Sequence, residues 1–151
     1  MKNNKIAFVI NHITFFVSHF LPLAIKLKNN GFQVKVFSGI SPNTKIDNYS
    51  KNILKNYSID YEVIKFKVDN LNILNEIKHI LNFRRKLKYY DPKIIYAISL
   101  KGIFYSMISY MLVKPNIVIN YFTGLGYFFT NKLNIFERTI KKIIVLMLKV
   151  Y

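Results

Sequence analysis

Lys5–Phe37 reads KIAFVINHITFFVSHFLPLAIKLKNNGFQVKVF, and this stretch decides the fold. Its first run, Lys5–Ile10, is apolar at successive positions from Ile6 onward and stops at Asn11 and His12. Unbroken apolarity over so few residues suits a parallel strand buried on both faces. A polar-aromatic loop follows through Thr14, Phe15, Phe16 and Ser18. A helix is predicted to begin between Ser18 and Leu21, because Pro22 lacks an amide hydrogen and is tolerated only near a helix start. Leu23, Ala24 and Leu27 give that helix a buried face. Asn29-Asn30-Gly31 ends it, with Gly31 as the left-handed cap. Phe32–Phe37 is then a second strand. Strand, helix and strand in succession make a parallel crossover unit.

The same alternation continues outward. Ser41–Ser58, rich in Asn, holds a short helix around Tyr49–Asn56, and Tyr61–Phe66 alternates as a third strand. Leu71–Tyr90 has Leu74, Ile77, Leu81 and Leu87 near helical spacing. Its last turns carry Arg84, Arg85, Lys86 and Lys88, which suit the negative end of a helix. Asp91-Pro92 stops it. Lys93–Ile98 is strand four, Gly102–Leu112 a helix of small and apolar residues, Ile117–Phe122 strand five, and Thr123–Thr130 a glycine-containing loop. Ile135–Tyr151 is a last, strongly apolar helix with Arg138, Lys141, Lys142 and Lys149 beside its apolar face. The expected fold class is α/β, a parallel sheet with helices on both faces.

The chain has 151 residues, of which 52% are hydrophobic and 16% aromatic, which excludes a disordered chain. Lys and Arg number 23 against 7 Asp and Glu, a net charge of +16. That balance calls for an anionic partner or surface, whether nucleic acid, acidic lipid or a phosphorylated substrate; a compositional bias toward Lys, Asn, Ile and Tyr is the alternative source of the charge. With no cysteine, disulfides and thiolate metal sites are excluded. Ile6–Ile10 is too short for a signal-peptide core, so it reads as the first strand of a cytoplasmic protein. Gly102–Asn131 holds Lys114 as its one charged residue, yet Pro115, Asn116, Asn120, Gly124 and Gly126 break it into helix, strand and turn rather than one membrane span.

Ligands of parallel sheets sit beyond the carboxyl ends of the strands. Three loops therefore matter. The loop after strand one offers Asn11, His12, Thr14, Ser18 and His19. Ser18 reads either as a helix N-cap or as a ligand contact, and His19 either as an ordinary helical residue or as a ligand or active-site group. The loop after strand four is Ser99-Leu100-Lys101-Gly102. A cation at a helix start opposes the helix dipole, so Lys101 either holds a phosphate or is a solvated lysine that bears this small cost. In the third loop, Thr123, Gly124 and Gly126 make a tight turn with close backbone approach. Gly124 and Gly126 match two glycines of a dinucleotide fingerprint, but Phe129 stands at the third, and no acid follows at the ribose-binding distance. His12, His19 and His79 lack metal-ligand spacing. Nucleophile-elbow, phosphate-loop, Asp-x-Asp and nucleic-acid-binding motifs are all missing.

Lys5–Phe37 resembles the opening of the bacterial family 4 glycosyltransferases, in which a first strand meets a helix that starts near Ser-His or His-Phe and carries a proline. Ile95–Thr130, IYAISLKGIFYSMISYMLVKPNIVINYFTGLGYFFT, is the more specific match. Its S-x-K turn, small-residue helix and GLGY after a strand resemble a subgroup that builds lipid-linked glycans, among them N-acetylgalactosaminyltransferases acting on undecaprenyl-diphosphate sugars. The resemblance implies a Rossmann-like lobe of a two-lobed glycosyltransferase fold. Residues 1–151 would be the amino-terminal, acceptor-binding lobe, ending before the lobe that holds most of the nucleotide-sugar. It also implies a retaining enzyme without a metal or other cofactor, with the nucleotide-sugar as co-substrate.

By position, Asn11, Ser18, His19, Lys101, Thr123, Gly124 and Gly126 correspond to the family's cleft-facing, substrate-binding loops. Many family members carry glycines in the first loop near the donor diphosphate; NHITFFVSHF has none. The partners implied are a nucleotide-sugar, a glycan or lipid-linked glycan acceptor and an anionic membrane surface, not nucleic acid. The place implied is the cytoplasmic face of the cell membrane. The rival readings are a basic nucleic-acid- or membrane-binding module and a sugar epimerase with similar two-lobed architecture.

Overall fold

The computed structural model describes residues 4–39, 43–64, 73–123 and residues 138, 141, 142 and 145. The chain divides into two units, Met1–Tyr121 and Phe122–Tyr151. In the first, the elements run β1 (Lys5–Ile10), α1 (Ile13–His19), α2 (Leu21–Asn29), β2 (Gln33–Ser38), α3 (Thr44–Asn56), β3 (Asp60–Val63), α4 (Ile73–Tyr90), β4 (Ile94–Ile98), α5 (Ser99–Val113) and β5 (Ile117–Tyr121). The five strands form one sheet in the order β3-β2-β1-β4-β5, and each neighbouring pair is parallel. This is the α/β, Rossmann-like arrangement expected from the sequence.

β1 is the centre of the sheet, and Ile6 through Ile10 are almost wholly excluded from solvent. On one face Ile6, Phe8 and Ile10 join a core with Ile13, Phe16, Phe20 and Ala24 of the α1–α2 segment and with Leu54 of α3. Phe8 packs edge-on to Phe16 at 5.1 Å and stacks on Tyr96 of β4 at 4.8 Å. On the other face Phe37 meets Phe83 of α4 at 5.7 Å, and Phe83 meets Tyr105 of α5 at 5.9 Å. The continuous apolar run in β1 is thus the consequence of helices on both sides.

The first crossover differs from its sequence reading. Instead of one helix beginning between Ser18 and Leu21, α1 begins at Ile13 and breaks at Phe20, and α2 carries Pro22 in its first turn. The proline drives the break. Pro22 cannot donate back to Ser18, so a continuous helix would lose a hydrogen bond there. Ser18 is therefore not an N-cap. It lies in the last turn of α1, where its hydroxyl donates to the carbonyls of Thr14 and Phe15, both at 3.1 Å. Gly31, at φ 82°, ends α2 as expected.

α3 starts five residues earlier than the helix read around Tyr49–Asn56, because Asn43 caps it by accepting from the Ile46 amide at 3.3 Å. Asp91, at φ 51°, turns the chain out of α4 ahead of buried Pro92. In the second unit Arg138, Lys141, Lys142 and Val145 are helical, with Arg138 and Lys142 exposed. The rest of the Thr123–Thr130 loop and of the Ile135–Tyr151 helix lies outside the described residues. No helix among the described residues is long and apolar enough to cross a membrane.

Candidate functional site

The strand order reverses at β1. The chain moves outward from β1 to β2 and β3, then returns to β4 on the other side and continues to β5. The crossovers therefore leave in opposite directions between β1 and β4, the place at the carboxyl ends where open α/β sheets ordinarily form a ligand-binding crevice. Asn11 and His12 follow β1, Ser38 closes β2, Ser99 follows β4, and Asn120 is the penultimate residue of β5. The register brings them to one edge. Ile10 pairs with Ser38, Val9 with Ala97, Ala97 with Asn120, and Ile98 with Tyr121.

Polar atoms collect at this edge without protein partners. Asn11 Oδ1, His12 Nδ1, Ser38 Oγ, Ser99 Oγ and Asn120 Oδ1 are buried and make no hydrogen bond. Among the described residues only Arg84 Nε and Ser106 Oγ share that condition, so the sheet end holds most of such atoms. Buried polar groups are ordinarily satisfied, and one left unsatisfied costs about 1–3 kcal/mol. Five of them gather at one sheet edge, which makes that edge the candidate polar binding surface. By the pleat, Ser38 shares the α1–α3 face with Ile10, and Asn120 the α4–α5 face with Val9 and Ala97. The set surrounds the sheet end from both faces.

Ser99 and Gly102 shape the crevice. Ser99 has φ 69°, a left-handed conformation disfavoured for a residue with a Cβ. It lets β4 pass into α5 with no intervening loop, so Ser99-Leu100-Lys101-Gly102 is the helix's first turn and not the loop read from the sequence. A Cβ on Gly102 would stand 2.7 Å from the Val9 carbonyl oxygen. The first turn of α5 therefore rests directly on the end of β1. Unbonded amides at a helix start favour negative charge. Lys101 is half-buried in this same turn, with Nζ 5.7 Å above the Tyr105 ring.

Ser18 and His19 behave differently. Both are exposed. Ser18 Oγ and His19 Nδ1 are 2.7 Å apart, and the imidazole stacks on Phe15 at 4.1 Å. Ser18 Oγ and His19 Nδ1 are thus engaged within α1. His19 also occupies the last residue of that helix, not the first turn in which the sequence reading put it. Phe20 packs edge-on to Tyr121 at 5.3 Å, so the chain just past His19 reaches the carboxyl end of β5. Thr123 lies two residues beyond β5 in the second unit, half-buried, and Gly124 and Gly126 lie outside the described residues. Asp47 is a buried carboxylate in the first turn of α3 that accepts from the Thr14 hydroxyl at 3.5 Å.

His12, Ser38, Ser99, Asn120 and Asp47 were not among the substrate-binding residues derived from the sequence. A signal for four of them was present: each is a polar residue at or next to the carboxyl end of an apolar strand. Among the described residues no three His, Asp or Glu side chains gather to hold a metal ion.

The sequence model of the glycosyl transferase 4-like family matches residues 5–150. The chain belongs to this family. The match covers every strand described above and the turns that follow β1 and β4. Solved structures add the fold alone. N,N'-diacetylchitobiose deacetylase from Pyrococcus horikoshii superposes with a TM-score of 0.58 at 10% identity, over 73% of this chain and 50% of that one. 4-Carboxy-2-hydroxymuconate hydratase from Pseudomonas putida superposes with a TM-score of 0.55 at 10% identity, over 74% of this chain and 60% of that one. The chain thus spans half to three-fifths of the length of these two proteins. Comparison with curated proteins finds no match.

Proposed function

We propose that this chain is the acceptor-positioning lobe of a glycosyltransferase that moves a sugar from a nucleotide-sugar to a glycan acceptor held on a lipid diphosphate. Membership of the family supplies the reaction class. The observation that carries the acceptor role is the row of unpartnered Asn11, His12, Ser38, Ser99 and Asn120 atoms at the sheet end. These groups are amides, hydroxyls and an imidazole, which suit the hydroxyls of a sugar ring. The first turn of α5, with Lys101, adds donors and positive charge suited to the acceptor's phosphate.

Glycosyl transfer needs the acceptor hydroxyl aligned with the anomeric carbon of the donor, and it needs stabilisation of the departing diphosphate. The crevice residues provide the alignment. A second lobe provides the contacts to the leaving group, so the chain by itself has little or no activity. The nucleotide-sugar is a co-substrate, and the reaction uses no metal or other cofactor. A lipid-held acceptor places the enzyme at the cytoplasmic face of the membrane, where the net charge of +16 favours an anionic leaflet.

The test is kinetic, in the full-length enzyme. Ser99→Ala and Asn11→Ala are expected to raise the KM for acceptor by roughly fivefold each, one charge-free hydrogen bond being worth about 1 kcal/mol. Hydrolysis of the nucleotide-sugar in the absence of acceptor should stay within twofold of wild type. Equal loss of both activities would overturn the acceptor assignment. Inversion of a sugar carbon on the free nucleotide-sugar, with no transfer, would show an epimerase instead.

A further inference from the structure

The outward face of α4 carries an alignment that the acceptor crevice does not use. Ile77 is 48% exposed, Leu81 51% and Tyr89 92%. Lys78, Asn82, Arg85 and Lys88 are exposed beside them. At 3.6 residues per turn these seven side chains fall within an arc of roughly 140°, along about 18 Å of helix. The opposite arc holds Ile80, Phe83 and Leu87, which are buried against the sheet and α5. α4 is therefore firmly anchored by one side and shows solvent a second stripe that mixes aliphatic, aromatic and cationic groups. No Asp or Glu falls on the exposed arc.

We infer that this face of α4 docks on an anionic lipid surface. This deepens the reading above, because it rests on a lipid-held acceptor and names the surface that brings the enzyme to it. The chemistry selects a membrane over other occupants. A second copy of the chain would bring the same three cations face to face, and with 7 acids against 23 cations the chain has few carboxylates to answer them. A nucleic acid would neutralise Lys78, Arg85 and Lys88 but leave Ile77 and Leu81 in water. An anionic leaflet answers both kinds of group. Its headgroups attract the cations, its acyl boundary takes the aliphatic side chains, and Tyr89 suits the level between them, where an aromatic ring can be buried and its hydroxyl hydrated.

The experiment measures sedimentation of the full-length protein with phosphatidylcholine vesicles, with and without phosphatidylglycerol. Wild type should bind only the anionic vesicles and release as salt rises from 0.1 M, where the screening length is about 10 Å, toward 1 M, where it is about 3 Å. The triple variant Lys78→Gln, Arg85→Gln and Lys88→Gln should lose roughly 100-fold in affinity. The double variant Ile77→Ser and Leu81→Ser keeps the charge and should lose about tenfold or more. All five positions are exposed, so thermal unfolding should match wild type.

A charge-matched control removes Lys26, Lys45 and Lys55, exposed residues of α2 and α3 on the other side of the sheet. It should lose less than fivefold. If the control loses as much as the α4 triple variant, binding reflects net charge and the inference fails. If the α4 variants bind as wild type while Arg138→Gln, Lys141→Gln and Lys142→Gln abolish binding, the inference fails and the membrane reading stands. If wild type ignores anionic vesicles, both fail. Self-association that the Ile77→Ser, Leu81→Ser variant abolishes would assign the face to a second copy and overturn the inference.

Discussion

Gly102→Ala tests the junction on which the crevice depends. In an open helix this substitution stabilises by about 1 kcal/mol, because alanine costs less backbone entropy than glycine. Here the new methyl would stand 2.7 Å from the Val9 carbonyl oxygen and 3.3 Å from its carbon. The first distance is roughly 0.7 Å short of ordinary contact. Neither partner yields cheaply. Val9 is fully buried in the central strand, hydrogen-bonded in register to β2 on one side and β4 on the other. α5 must move instead, taking Ser99 and Lys101 with it. Overpacking of this kind costs about 1–3 kcal/mol, and the immobile carbonyl puts this site in the upper part of that range.

Subtracting the propensity gain leaves a net loss of about 1–2 kcal/mol, or roughly 3–6 °C in Tm for a chain of this size. Urea denaturation of Gly102→Ala should show a lower midpoint with an unchanged slope. Gly31→Ala is the informative comparison. No atom lies within 4 Å of a Cβ at Gly31, so its expected loss of about 1 kcal/mol arises from φ 82° alone. A Gly102→Ala protein more stable than wild type would refute the close approach of α5 to β1, and with it the crevice built on that contact.

Two further outcomes follow from the opposite end and the edge of the sheet. The Tyr90 hydroxyl donates to the Gln33 carbonyl at 2.7 Å and to the Ile6 carbonyl at 3.3 Å, tying α4 to the amino-terminal ends of β1 and β2. Burial, reinforced by the Asp60 carboxylate, raises its pKa well above that of a free tyrosine, against the smaller opposing effect of the Ile6 bond, so it remains a donor at any physiological pH. Tyr90→Phe should cost about 1–2 kcal/mol in urea denaturation and leave acceptor KM unchanged; a change in KM with intact stability would contradict this purely structural role. Glu62 bridges Lys35 and Lys86, each at 2.8 Å. Burial works to raise its pKa, but the two ammonium groups together outweigh it and hold the carboxyl below its ordinary value. A depressed carboxyl contributes stability above its unfolded pKa and loses it as pH falls through the folded one. Wild type and Glu62→Gln should therefore differ in Tm at pH 7, and the difference should shrink as pH falls below the ordinary carboxylate range; a difference that stays constant throughout the acid titration would contradict the ion-pair account.

The sequence by itself was enough for the parallel α/β sheet. β1 was legible at both ends because a strand covered on two faces must be apolar at every position, and Asn11 breaks that pattern. Gly31 and Asp91-Pro92 were legible as helix ends because their backbone chemistry is local: a left-handed cap and a missing amide act wherever they occur. The same locality makes Lys101 readable at the mouth of a helix. The helix boundaries in the first crossover were less so. Ser18 has the chemistry of an N-cap, but Phe16 and Phe20 gain more by packing on Phe8, and the chain becomes helical from Ile13 to deliver them.

The crevice itself was decided by tertiary structure. Ser38, Ser99 and Asn120 are separated by long stretches of chain, and only the order β2-β1-β4-β5 with its register brings them to one edge. Ser18 and His19, adjacent to one another in sequence, satisfy each other instead. A single sequence states which side chains are polar and which strands they end. Whether a polar atom finds a partner depends on every neighbour that the fold places around it. That is why the unbonded atoms of Asn11, His12, Ser38, Ser99 and Asn120 emerge only once strand order, register and the close seat of α5 on Val9 are set.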